Sequence, residues 1–163
     1  MYRPQTWSYA PNLGRIVIDI PSRLLTFYYS GRVYGPYPLG LGKPSTPTPA
    51  GNWHVVEKDP NPWWEVLGSR WMGLDVPWAT YGIHGTNAPW SIGHYVSNGC
   101  IRMHNADVEV IYPLVVLGTP VDIQGDYGGY QYRKNPRARY PLKAAMRLAE
   151  SGDVIDKGPL ATR

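Results

Sequence analysis

A mainly β fold, a sandwich or flattened barrel with one short helix after the single cysteine, is what this sequence predicts. Three observations carry that prediction. Eighteen Gly and 17 Pro among 163 residues interrupt the chain too often for a helical bundle. Short runs rich in β-branched and aromatic residues recur between those interruptions. Within the motif-bearing region, one stretch repeats its apolar residues at helical spacing, and it lies just behind the cysteine.

The elements follow in order. Arg15 to Ile20 (RIVIDI) and Leu24 to Tyr29 (LLTFYY), separated by Pro21-Ser22 and closed by Ser30-Gly31, predict a hairpin. Val33 to Leu41, Asn52 to Glu57, Tyr81 to His84 and Thr119 to Ile123 predict further strands, and Lys43 to Pro49 (KPSTPTP) a loop. The helix is expected to start near Asn105, whose side chain caps a first turn that also holds Asp107. Val108, Ile111, Tyr112 and Val115 continue it, Pro113 kinks or shortens it, and Gly118 marks its end. Apolar alternation stops after Ile123, giving a predicted boundary between residues 1–125 and a C-terminal extension, 126–163. Within that extension Pro141 to Ser151 predicts a second helix, with Pro at its first position and Gly152 as its stop.

Composition narrows the function classes. The length suits one domain, and 43% hydrophobic with 17% charged residues describes a globular chain without a membrane-length apolar run. The segment MYRPQTWSYAPN has neither an apolar h-region nor a small-residue cleavage site, so no secretion signal is read there. The net charge of +4 would suggest nucleic acid if it were spread over the chain. Residues 1–125 instead balance eight Lys/Arg against eight Asp/Glu. The excess sits in 126–163, where Arg133, Lys134, Arg137 and Arg139 cluster, a segment able to bind any polyanion, nucleic acid or anionic wall polymer alike. The plainer alternative is a solvated basic segment.

With one cysteine there is no internal disulfide, and the thiol is either a packing residue or a reagent. It lies in the run Tyr81 to Asp107, YGIHGTNAPWSIGHYVSNGCIRMHNAD, with three of the four histidines. A thiol nucleophile needs a base, a group that orients the base, and amide donors for an oxyanion. His84 closes an apolar strand, the small Gly85 beside it leaves a carbonyl to orient the ring, and Gly99 lets the backbone turn its amides toward one point. Zinc is the competing chemistry, since His84, His94, Cys100 and His104 are all suitable donors, yet only Cys100 and His104 are closely spaced. Seven Trp and 13 Tyr against one Phe form an unusual aromatic set. Trp63, Trp64, Trp71, Trp78 and Trp90, in or near predicted loops, suit either glycan and peptide contacts or loop bracing.

The ordered series His84-Gly85-Thr86, then Ser97-Asn98-Gly99-Cys100-Ile101-Arg102-Met103, then His104-Asn105-Ala106-Asp107-Val108 resembles the YkuD-like L,D-transpeptidases. Ile16 to Ile20, Tyr37-Pro38-Leu39-Gly40 through Gly42, and Thr48-Pro49-Ala50-Gly51 with Trp53 extend the resemblance over roughly residues 14 to 123. It implies a bacterial cell-envelope enzyme without cofactor or metal, acting on peptidoglycan stem peptides. Cys100 would be the nucleophile, His84 its base, the Gly85 carbonyl the orienting group, and the Gly99 and Cys100 amides the oxyanion donors. Ser97, Asn98, Arg102 and Trp90 would meet substrate, with Arg102 alternatively a surface residue paired with Asp107. Asn98 stands where many members carry His, so the base assignment rests on His84. His94 and His104 are read as loop residues.

Overall fold

The computed structural model describes residues 14–127, which hold nine strands, one α-helix and two short 3-10 turns. In chain order the strands are β1 (Arg15–Asp19), β2 (Leu24–Tyr29), β3 (Arg32–Gly42), β4 (Gly51–Asp59), β5 (Trp71–Leu74), β6 (Tyr81–His84), β7 (Tyr95–Ser97), β8 (Ile101–Met103) and β9 (Pro120–Gln124). The helix α1 spans Asn105–Ile111. The mainly β class and the barrel-like closure therefore match the sequence prediction.

Pairing runs β2-β1-β9-β4-β5-β6-β8-β3-β7, and β3 also pairs with β2, which closes the sheet on itself. The closing strand is β3, whose 11 residues serve two neighbours: its first part pairs with β2, and Leu39 and Gly40 pair with Met103 and Arg102 of β8. Period-two patterning sets the inside. Ile16 and Ile18 of β1, Leu25 and Phe27 of β2, and Val121 and Ile123 of β9 are buried while their neighbours are more exposed. Strands β5, β6 and β8 are buried at every position, as expected where both faces are covered. Val108, Ile111 and Val115 close the core from the α1 side.

Three sequence expectations are corrected. The strands β5, β7 and β8 fall where none was predicted, because runs of three or four residues, one with Gly73 inside, are too short to show a period. The helix ends at Ile111, well before Gly118, since Pro113 has no N–H to continue it. Its N-cap is His104 and no side chain caps it; the His104 carbonyl accepts from the Asp107 and Val108 amides. Asn105 is the first helical residue, and its side chain turns elsewhere.

The folded unit also passes the predicted boundary. Tyr127 is 4% exposed, belongs to the core and lies 4.7 Å, ring to ring, from Tyr95. The basic cluster Arg133 to Arg139 and the predicted helix Pro141 to Ser151 lie outside the described residues.

Candidate active site

His84 ends β6, which pairs in parallel with β8 so that Ile83 faces Ile101 and His84 faces Arg102. Cys100 immediately precedes Ile101, so one strand pairing carries His84 and the thiol-bearing turn side by side. Both Cys100 and His84 are fully buried. On the other side β5 places Trp71 opposite His84, and the two rings stack at 5.8 Å with 28° between their planes. Trp71 was expected near a loop; it opens a buried strand, with its indole N–H on the Glu57 carboxylate at 3.1 Å.

The His84 ring is held at one nitrogen and open at the other. Nδ1 lies 2.5 Å from the Gly85 carbonyl oxygen, an acceptor, so Nδ1 carries the proton. Nε2 is then the basic nitrogen, and it is buried with no hydrogen-bond partner. Burial lowers the ring's pKa from 6.5 to about 3, opposed by the Gly85 carbonyl, reinforced by the Arg102 charge and opposed again by the Leu67 carbonyl. The outcome is a neutral imidazole with a bare lone pair beside the turn that carries the thiol.

That turn is clamped by Ser97. Its hydroxyl accepts the Gly99 N–H at 3.0 Å and donates to the Cys100 carbonyl at 2.6 Å. Gly99 has φ +119, and a Cβ there would stand 2.5 Å from the Tyr81 ring, so only glycine fits. Two expectations change accordingly. The Gly99 amide is engaged by Ser97 rather than presented as an open donor, and the buried Ser97 hydroxyl shapes the turn rather than a substrate surface. Arg102 is 2% exposed, so it is no surface residue, and its charge bears on His84. Asn98 is buried beside the clamp. Trp90, on the 3-10 turn Pro89–Ser91, is 69% exposed and remains available to a ligand.

The loop after β3 braces the same turn, a role the sequence reading did not assign. Lys43 N–H and the Thr46 hydroxyl both donate to the Ser97 carbonyl at 2.9 Å. Thr48 Oγ1 accepts from Gly42 N–H at 2.9 Å. Among the described residues no three His, Cys, Asp or Glu side chains gather into a group able to hold a metal.

Comparison with known proteins points to one family. The model of the YkuD family, described as the L,D-transpeptidase catalytic domain, matches residues 14–123. The YkuD protein of Bacillus licheniformis is 44% identical over 109 residues, 67% of this chain and 64% of that protein. The YkuD protein of Bacillus subtilis is 43% identical over 108 residues, 66% of this chain and again 64% of the relative. The match thus spans just under two thirds of either relative's length. Among solved structures, the L,D-transpeptidase catalytic domain from E. faecium superposes with a TM-score of 0.59 at 26% identity, covering 68% of this chain and 96% of that one. The L,D-transpeptidase LdtMt1 in complex with imipenem gives 0.59 at 25% identity, covering 70% and 59%. Family model, relatives and fold agree: this chain belongs to the YkuD family of L,D-transpeptidase catalytic domains.

Proposed function

We propose that the chain is a cysteine acyltransferase of the bacterial cell envelope that cross-links peptidoglycan through tetrapeptide stems. The observation that carries this reading is the state of His84, whose Nδ1–H is spent on the Gly85 carbonyl while its buried Nε2 has no protein partner. Nε2 takes the Cys100 proton. The thiolate attacks the carbonyl between the L centre of diaminopimelate and the terminal D-alanine, and the oxyanion collapses to a thioester. D-alanine leaves with the proton held by His84. The side-chain amine of a second stem then attacks the thioester, giving a 3→3 cross-link and restoring the thiol. With the Gly99 N–H held by Ser97, the Cys100 N–H is the oxyanion donor we assign. Gly99 supplies the turn, Arg102 sets the charge around the base, and Trp90 meets the stem or its glycan. The basic segment beyond Tyr127 would bind an anionic wall polymer.

Purified disaccharide-tetrapeptide incubated with the protein tests this. The cross-linked dimer together with free D-alanine is the expected product. Trimmed tripeptide alone would mean that water is the acceptor, and an unchanged substrate would overturn the assignment.

A further inference from the structure

We infer that Asn105 is a positioning residue for the base, acting through the one peptide group that orients His84. The Gly85 carbonyl that receives His84 Nδ1–H and the Thr86 N–H are the two ends of a single peptide unit. Asn105 Oδ1 accepts that Thr86 N–H at 2.9 Å and also the Ser69 N–H at 3.3 Å. The chain of contacts therefore runs from the Asn105 amide oxygen, through the Gly85–Thr86 peptide, to the imidazole. A peptide that donates at one end is a better acceptor at the other, because each bond polarises the next.

The packing is built around this oxygen. A Cβ at Gly85 or at Gly68 would collide with Asn105 Oδ1, so both backbones come in close because they lack a side chain there. The Gly85 N–H is held on its other side by the Arg70 carbonyl at 3.2 Å. Asn105 begins α1, which follows directly from β8 and the nucleophile turn. One side chain on the nucleophile's segment thus fixes the peptide on the base's segment, and any shift of α1 is passed to the ring.

This inference rests on His84 being the base, and the experiment separates the two. Asn105→Ala removes the acceptor and is expected to lower kcat for D-alanine release by about ten- to a hundredfold with little change in KM, as small misplacements of catalytic groups do. Nitrogen-15 NMR of His84 reports the ring directly: one Nδ1–H tautomer in the parent and a mixture in Asn105→Ala. Asn105→Asp keeps the acceptor. It is expected to recover kcat and to move the acid limb of the pH–rate profile upward, since the anion favours a charged ring. If Asn105→Ala does not fold, Asn105→Ser, which is too short to reach Thr86, takes its place in both measurements. Wild-type kcat and a single tautomer in the folded Ala or Ser variant would overturn the inference, as would a folded Asp variant as slow as Ala. An active His84→Ala would instead remove the assignment of the base itself.

Discussion

The Thr48 N–H donates to the Tyr127 hydroxyl at 2.9 Å, in a buried contact that joins positions 79 apart in the chain. Thr48 belongs to the loop whose Lys43 and Thr46 hold the Ser97 carbonyl, and Ser97 in turn clamps Gly99 and Cys100. Tyr127 is therefore three contacts from the turn that carries Cys100.

Truncation after Gly125 is accordingly expected to destabilise the protein by about 3 kcal/mol or more, the scale for deleting a buried aromatic. Tyr127→Phe, which keeps the ring and loses only the hydroxyl, should cost about 1–2 kcal/mol. A chain ending at Tyr127 keeps every site residue and should still form the thioester. Urea denaturation of the three proteins checks the order; equal midpoints for the Gly125 and Tyr127 truncations would refute the role of the tyrosine.

Acid should weaken the fold through His84. Burial first, and the Arg102 charge after the opposing Gly85 carbonyl, hold the folded ring's pKa near 3 against an ordinary 6.5. Above pH 6.5 both states are neutral and His84 contributes no slope. Below it the unfolded chain takes up a proton that the fold refuses, so stability falls with pH by up to about 1.4 kcal/mol per unit. His84→Gln should flatten the urea midpoint against pH between about 3 and 6.5. Parallel curves for the two proteins would show that the ring is not kept neutral.

Removing the clamp should separate folding from chemistry. Ser97→Ala leaves the buried Gly99 N–H and Cys100 carbonyl without that partner, at a cost of about 1–3 kcal/mol. Its kcat should fall while the melting transition stays cooperative. Gly99→Ala should be worse on both counts, because φ +119 and the Tyr81 ring both oppose a Cβ. The pair is compared by thermal melting and D-alanine release, and a fully active Gly99→Ala would contradict the geometry.

Carbapenem should raise the intact mass by one whole adduct in the parent and not in Cys100→Ala. LdtMt1 in complex with imipenem is one of the structures this fold resembles. With His84 as the proposed base, His84→Ala should suppress the adduct, whereas His94→Ala and His104→Ala should leave its rate largely unchanged. An adduct that persists at full rate in His84→Ala would assign the proton transfer to another group.

Much of the frame was legible in the sequence because it rests on local chemistry. The β1 and β2 alternation and the adjacency of His84 to Gly85 each need only neighbouring residues. Long-range features were not legible. The parallel pairing of β6 with β8, which brings His84 beside the turn that carries Cys100, leaves no period in a strand of three residues. Asn105 read as a helix cap, which is the usual local use of Asn, whereas its partners Ser69 and Thr86 are 36 and 19 positions away. Arg102 read as a substrate contact or, alternatively, a surface residue paired with Asp107, because nothing local announces that β8 is buried at every position. Tyr127 lay beyond the point where alternation stops, and only its distant contact with Thr48 reveals that it belongs to the domain.

The stack of Trp71 on His84 has an optical consequence. If His84 takes the Cys100 proton as proposed, the imidazolium beside the indole would withdraw density from the excited ring, so emission should dim while the proton rests on His84 and recover when the leaving group carries it off. The lifetime of the protonated ring would then be readable in a stopped-flow fluorescence trace, with no label added to enzyme or substrate.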